Sequence, residues 1–221
     1  MSLLVVKVGG SVAGGSAAAV LELAAAGQVC VVHGAGPQIS LDMERAGIPV
    51  EFVGGRRVTS AAAVAVVRAS FAAVNAALCT AIGPRALGLL GDEIGLEARR
   101  LPDLGWVGDP VPSRPAAVVE ALAAGLIPVV APIAVGPLNV NADEGAAALA
   151  LGLGAGRLLF LTDVDGLILD GHVVDEIDVE AAAELLDAGT LQGGIIPKLG
   201  AAVTAARGGV PASIGRTAVP A

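Results

Sequence analysis

Twice near its start this chain runs a short apolar stretch into glycine and straight on into a helical pattern. Leu3–Val8 breaks at Gly9–Gly15 ahead of a helix predicted over Ser16–Ala26. Val29–His33 ends in the tight HGAG turn (33–36) ahead of a helix predicted over Pro37–Ala46. Junctions of strand, turn and helix build open parallel sheets, whose ligands sit in the crevice at the carboxyl ends of the strands. The alternation continues. Gly54-Gly55 between the β-like flanks of Glu51–Thr59 predicts a hairpin, and Ala61–Ile82 a long Ala/Val helix. Ala86–Leu90, Ile127–Ala131 and Leu158–Thr162 read as strands; Pro115–Ala124, Asp143–Leu153, Val179–Ala188 and Pro197–Arg207 read as helices. No repeat, charge block or linker divides the 221 residues, so they are read as one α/β domain.

Aromatic residues make up 2% of the chain, with no Tyr, so the core must come from closely packed Ala, Val and Leu. A net charge of −8 argues against nucleic acid or an anionic membrane surface as the main partner. The longest apolar stretch, Ala121–Val135, is interrupted by Gly125, Pro128 and Pro132, and Lys7 with its glycine turn breaks any leader-like start. A soluble, cytoplasmic protein is the expectation. Cys30 and Cys79 lie in apolar stretches without C-x-x-C spacing and are read as buried, reduced thiols.

Lysine is nearly absent. Of 13 basic residues only Lys7 and Lys198 are lysines, and each lies beside a double glycine, in VVKVGGS (5–11) and GGIIPKLG (193–200). Lysine is a compact point charge on a thin stem, whereas arginine is a broad plane. Two lysines kept in such surroundings point to narrow sites where a small cation approaches an anion closely. Glycine turns add backbone N–H groups, which together with a helix N-terminus cradle phosphate. The cradle is not a Walker A loop, since no GxxxxGK[ST] occurs. Nor is it a dinucleotide fingerprint: Gly34 and Gly36 are followed by Ile at position 39. His172 stands apart in a hairpin-like turn, and no His/Cys/Asp spacing suggests a protein-held metal.

Six blocks in order carry a wider pattern: VVKVGGS (5–11), VVHGAGPQ (31–38), GGRRVT (54–59), LNVNADEGA (138–146), LTDVDGL (161–167) and LDAGTLQGGIIPK (186–198). Together, from Leu3 to about Val210, they resemble the amino-acid kinase family, and within it the branch acting on N-acetylglutamate. The resemblance implies a three-layer αβα sandwich around a mainly parallel sheet. It implies an acyl amino acid on about residues 1–135 and a nucleotide on about residues 136–221. The implied reaction moves the ATP γ-phosphoryl group to the side-chain carboxylate of N-acetyl-L-glutamate, as in arginine biosynthesis. A sister kinase of carrier-linked aminoadipate is the alternative, although a chain at −8 fits an acidic carrier poorly. A non-catalytic nucleotide-binding module of the same fold is the other.

A carboxylate is already a nucleophile, so such a site needs no general base; it needs in-line positioning and relief of charge repulsion. By resemblance Lys7 and Lys198 supply that relief, and Asp143 orients both, unless it serves as the helix N-cap, alone or as well. Arg57 is implied to hold the α-carboxylate bidentately. Arg56, on the opposite face of a strand, is expected to be solvated and without effect on the substrate. Asn139 is implied to contact the substrate, with Asn141 on its side of an extended segment, and the backbone of Ala35 and Gly36 to face it. His33 is read as packing and turn support. Gly9, Gly10, Thr162, Asp163, Val164, Asp165, Gly166, Leu167, Thr190, Leu191 and Gln192 are implied to hold ATP, with Mg2+ arriving on its phosphates.

The sequence departs from the family in HGAG for HGGG, a shortened first helix, GDEIG at Gly91–Gly95, and an early end at IGRTAVPA (214–221). Arginine-controlled relatives carry an extra N-terminal helix, and with Lys7 so early in the sequence none is expected here. The 61–82 helix, uncharged after Arg68, is expected to be buried on most of its circumference. A homodimer that arginine does not inhibit is the expectation.

Overall fold

In the computed structural model, which describes residues 2–9, 15–162 and 165–221, the predicted alternation becomes a series of crossovers. β1 (Leu4–Val8) leads through α1 (Ser16–Ala26) to β2 (Val29–His33) and α2 (Gly36–Arg45). A hairpin of β3 (Phe52–Val53) and β4 (Arg56–Arg57) precedes the long α3 (Ala61–Ile82) and β5 (Ala86–Leu90). β6 (Ala98–Leu101), β7 (Val107–Pro110), α4 (Ala116–Ala123) and β8 (Ile127–Ala131) follow, then β9 (Ile133–Ala134) and β10 (Leu138–Val140). The remainder runs α5 (Ala142–Leu153), β11 (Arg157–Leu161), β12 (Ile168–Leu169) and β13 (His172–Val173). It closes with α6 (Val179–Asp187), α7 (Ile195–Arg207), β14 (Ala212–Ile214) and β15 (Thr217–Val219).

The main sheet has the order β15-β14-β11-β1-β2-β8-β5. Every pairing in it is parallel except that of β14 with β15. Strand alternation sorts its side chains onto two faces. Val5, Cys30, Val32, Val130, Leu158 and Phe160 pack with residues of α4, α5, α6 and α7. Val6, Val8, Val29, Val31 and Val129 pack with α1 and the end of α3. The result is the expected three-layer αβα sandwich. Each fully buried Val or Leu contributes about 1.5–3 kcal/mol, and alanines on α5 and α7 let those helices pack closely in place of aromatic bulk.

Several boundaries differ from the sequence reading. β11 starts at Arg157, α5 at Ala142 and α7 at Ile195, with Pro197 in the first turn of α7, where its missing N–H has no intrahelical partner to lose. A second sheet of order β6-β7-β10-β9, and the β14–β15 pair, were not expected. Their strands are two to four residues long, too short to show a period. The predicted hairpin forms as read, with Phe52 opposite Arg57 and Val53 opposite Arg56. Gly54 and Gly55 take φ values of 56° and 77°, the two positive angles that a tight two-residue turn demands.

α3 differs from its reading. Ser60 caps it by accepting from Ala63 N, and it is long and apolar enough, by length and composition, to cross a membrane. Within the chain it buries a single stripe, including Ala63, Val67, Phe71, Asn75, Leu78 and Ile82, and its outer face is largely alanine. The expected burial around most of the helix is therefore not reached within one chain, because alanine exposes too little surface to require cover.

His33, at the end of β2, is fully buried. Its Nδ1 lies 3.2 Å from the Gly34 carbonyl and its Nε2 3.1 Å from Asn75 Nδ2, which also donates to the Val129 carbonyl. Nε2 thus accepts, and Nδ1–H donates. This is the structural role expected of it. Burial pushes the imidazole down to about 4, against the pull of the Gly34 carbonyl. The native state therefore resists a proton that the unfolded chain accepts below about 6.5. Stability from this site is complete above pH 6.5 and is lost as pH falls towards 4, by about 3 kcal/mol at most. Urea titrations at pH 7 and pH 4 are expected to show a correspondingly smaller loss in His33→Gln. An equal loss in both proteins would refute this account. Burial likewise pushes the Cys30 thiol up to about 12; both cysteines are free, but only Cys30 is buried as read, Cys79 being half-buried.

Candidate active site

Lys7 shares the face of β1 that carries Val5, the face covered by α5 and α7, and lies one step closer to the carboxyl end. There the first turn of α5 presents Asp143, whose Oδ1 lies 2.8 Å from Lys7 Nζ. Lys198, in the first turn of α7, brings its Nζ within 3.8 Å of Asp143 Oδ2 and donates to the Gly194 carbonyl. One carboxylate thus sits between the two lysines of the chain. Asp143 is not the helix cap. Asn141 is, its Oδ1 accepting from the N–H groups of Asp143 and Glu144, which leaves the Asp143 side chain for the lysines. Asn141 thus caps its own helix through Oδ1 and, with Asn139, lines the first cavity.

A cavity of about 280 Å³ opens against this triad. Lys7, Gly9, Ala35, Gly36, Arg56, Arg57, Asn139, Asp143 and Lys198 line it. It thus takes walls from residues 139–143 and 198 as well as from the first 135. Arg57 is 6% exposed, lies over the Phe52 ring with 4.5 Å to its centroid, and donates to the Gly36 carbonyl and Ser40 Oγ. Burial pulls its pKa below the usual arginine range. A guanidinium held in such a wall beside an open cavity can pair with a carboxylate. Asn139 donates to Thr59 Oγ1, tying β10 to the start of α3. The extra methyl of HGAG is absorbed by packing: Ala35 is buried with Ile39 and Met43.

Arg56 departs from its reading. It is not solvated: Nε meets both oxygens of Glu144 at 3.0 Å and a terminal nitrogen meets Asp109 Oδ1 at 2.8 Å. Burial works against its charge, yet the hydrogen bond and charge of Glu144, with those of Asp109, raise its pKa. Its partners lie 88 and 53 residues away, so no local signal could have found them.

A second cavity, of about 480 Å³, adjoins the first. Thr162, Gly166, Leu167, Thr190, Leu191 and Gln192 line it, as does Lys198, which is shared by both cavities. Ile168, Gly194 and Ile195 complete it, three residues that sequence reading does not single out for a site. Two expected nucleotide residues fall elsewhere. Gly9 lines the first cavity, and Asp165 is exposed, its carbonyl accepting from Arg216 N. Gly10, Asp163 and Val164 lie outside the described residues. Among the described residues no group of three or more His, Cys, Asp or Glu could hold a metal ion.

Chemically, the arrangement lines one polar cavity with a buried guanidinium and two ammonium groups, one of which also borders a second cavity. It can neutralise negative charge that develops between two ligands, and it offers no imidazole or thiol for proton or covalent chemistry at that point.

Residues 2–216 match the model of the Amino acid kinase family. The chain is 43% identical to an acetylglutamate kinase of Rubrobacter xylanophilus over 97% of this chain and 88% of that protein. It is 46% identical to one of a Nocardioides species, over 82% of this chain and 64% of that protein. A third, from Frankia casuarinae, is 43% identical over 83% of this chain and 56% of that protein, so the chain spans little more than half of some relatives. Among solved structures, smu.665 from Streptococcus mutans superposes with a TM-score of 0.86 at 27% identity, over 99% of this chain and 98% of that one. N-acetylglutamate synthase from Neisseria gonorrhoeae, complexed with coenzyme A and N-acetyl-glutamate, shares the fold. Its TM-score is 0.83 at 21% identity, over all of this chain and 59% of that one.

Proposed function

The chain belongs to the amino acid kinase family, and on that premise we propose that it transfers the γ-phosphoryl group of ATP to the side-chain carboxylate of N-acetyl-L-glutamate, forming an acyl phosphate for arginine biosynthesis. One observation carries the reading: Lys198 is the wall common to both cavities, and Asp143 holds Lys7 beside it. The acyl amino acid occupies the first cavity, its α-carboxylate on Arg57 and its acyl group near Asn139, with the backbone of Ala35 and Gly36 facing it. ATP occupies the second, along Thr162 and Gly166–Leu167 on one side and Thr190–Gln192 on the other. The side-chain carboxylate then faces the γ-phosphorus where the two cavities meet. Lys7 and Lys198 stabilise the charge on the transferring oxygens, and Asp143 keeps both ammonium groups aimed there. No proton need be removed from the nucleophile. Mg2+ would arrive on the phosphates of ATP, and among the described residues the Asp143 carboxylate is engaged by lysine.

Turnover of N-acetylglutamate, N-acetylaminoadipate and carrier-linked aminoadipate, measured side by side, tests the substrate. The first is expected to dominate kcat/KM. Preference for the carrier-linked acid would transfer the chain to the sister activity, and nucleotide binding without turnover of any would reduce it to a binding module. We place the enzyme in the cytoplasm, in keeping with two free thiols. We also assign it a homodimer built on the alanine face of α3 beside β5, the open edge of the main sheet. Light scattering of the purified chain at monomer mass would exclude that assembly.

A further inference from the structure

The hairpin that carries Arg57 is poorly held by itself. It has only two residue pairs across its strands, and Phe52 and Val53 are each 56% exposed. An isolated two-stranded ribbon is marginal in water. What fixes it lies on α5. Asn141 Nδ2 donates to the Gly55 carbonyl at 3.2 Å, and Arg56 grips Glu144 through both carboxylate oxygens while reaching Asp109 on β7. Glu144 stands next to Asp143 in the same helical turn.

We propose that Arg56 is a positioning residue: by locking the hairpin onto Glu144 it sets the distance between the carboxylate anchor Arg57 and the Lys7–Asp143–Lys198 group. This rests on the reading of the first cavity as the acyl amino acid site. The Arg56 Nε–H is shared between the two Glu144 oxygens while a terminal N–H takes Asp109, so one planar guanidinium bridges two elements, which a point charge would not hold in the same way. Both arginines border the first cavity, but Arg56 binds α5 and β7 while Arg57 binds α2, so the backbone between them is clamped from both sides. Burial pushes the Glu144 carboxyl up even with Arg56 beside it, so loss of Arg56 removes the cation that offsets that burial and with it the tie to the hairpin.

The test compares Arg56→Ala, Glu144→Ala and the double variant by steady-state kinetics with N-acetylglutamate and ATP, and by amide hydrogen exchange across residues 52–57. Each single variant is expected to raise KM for the acid about tenfold while KM for ATP stays within about twofold, with faster hairpin exchange. The double variant should be no worse than the poorer single one, because both remove the same contact. Arg56→Lys should recover only part, having charge without the fork. A KM effect in Arg56→Ala but not in Glu144→Ala would overturn the proposal, because Arg56 would then act on the substrate itself. Faster exchange with unchanged KM would also overturn it, leaving the tie purely structural. If the unaltered chain turned over no acyl amino acid, the functional reading would fail separately, and exchange would still decide whether Arg56 and Glu144 hold the hairpin.

Discussion

Lys7→Arg and Lys198→Arg are each expected to lower kcat by at least about 100-fold, the scale of removing one aimed charge-stabilising donor. Charge is conserved in both variants, so the effect isolates shape. Lys7 issues from a buried strand, and side chains there leave 7% of it exposed, with Asp143 at 2.8 Å. A guanidinium is too broad to replace an ammonium in that gap without moving the carboxylate, and a misplacement of about 1 Å can cost about 100-fold. Lys198 is the wall between the two cavities, so a larger head would intrude on one ligand or the other. ATP binding should survive better than turnover in both, since the lysines act most strongly on charge that develops during transfer. Single-turnover kinetics with a nucleotide titration separate the two effects. Near-normal kcat in both variants would sink the mechanism.

Arg57→Ala is expected to raise KM for the acyl amino acid by about 10- to 100-fold, with KM for ATP nearly unchanged. That range follows from a charge-assisted pair made in a buried wall, where solvent does not compete. Arg57→Lys keeps the charge and loses the planar fork, and should fall between the two. Because Arg57 also holds the Gly36 carbonyl and Ser40, thermal unfolding must accompany the kinetics. Equal rises in both KM values would mean that the variant loosens the fold and does not remove an anchor.

The residues that meet around the first cavity were legible in part because composition isolates two of them. An Arg-rich chain that keeps lysine at only two positions sets Lys7 and Lys198 apart by composition alone, and the run of motif blocks adds Asp143, Arg57 and Asn139. The parallel core was legible for a related reason. β1, β2 and β8 are buried along almost their whole length, so they read as continuous apolar runs that end in turns, and β5 and the glycine hairpin follow by the same rules. These are statements about neighbours in sequence, and local patterns are enough to make them.

What the chain could not show along its length is which distant groups meet. The choice of Asn141 over Asp143 as the cap is a matter of backbone angles over two residues, since either side chain can accept the same kind of N–H group. The strands of the smaller sheet owe their existence to pairing partners, not to their own period, and glycine at Gly108 fits there because a Cβ would lie 2.7 Å from that of Ala98. Arg56 looked like a solvated hairpin residue because the two acids that claim it lie 53 and 88 residues further on. Sequence alone determined the fold class and singled out the charges that the structure gathers around one cavity. The tertiary structure decided how those charges are held, because a contact between residues far apart in the chain exists only once both ends of it have been folded into place.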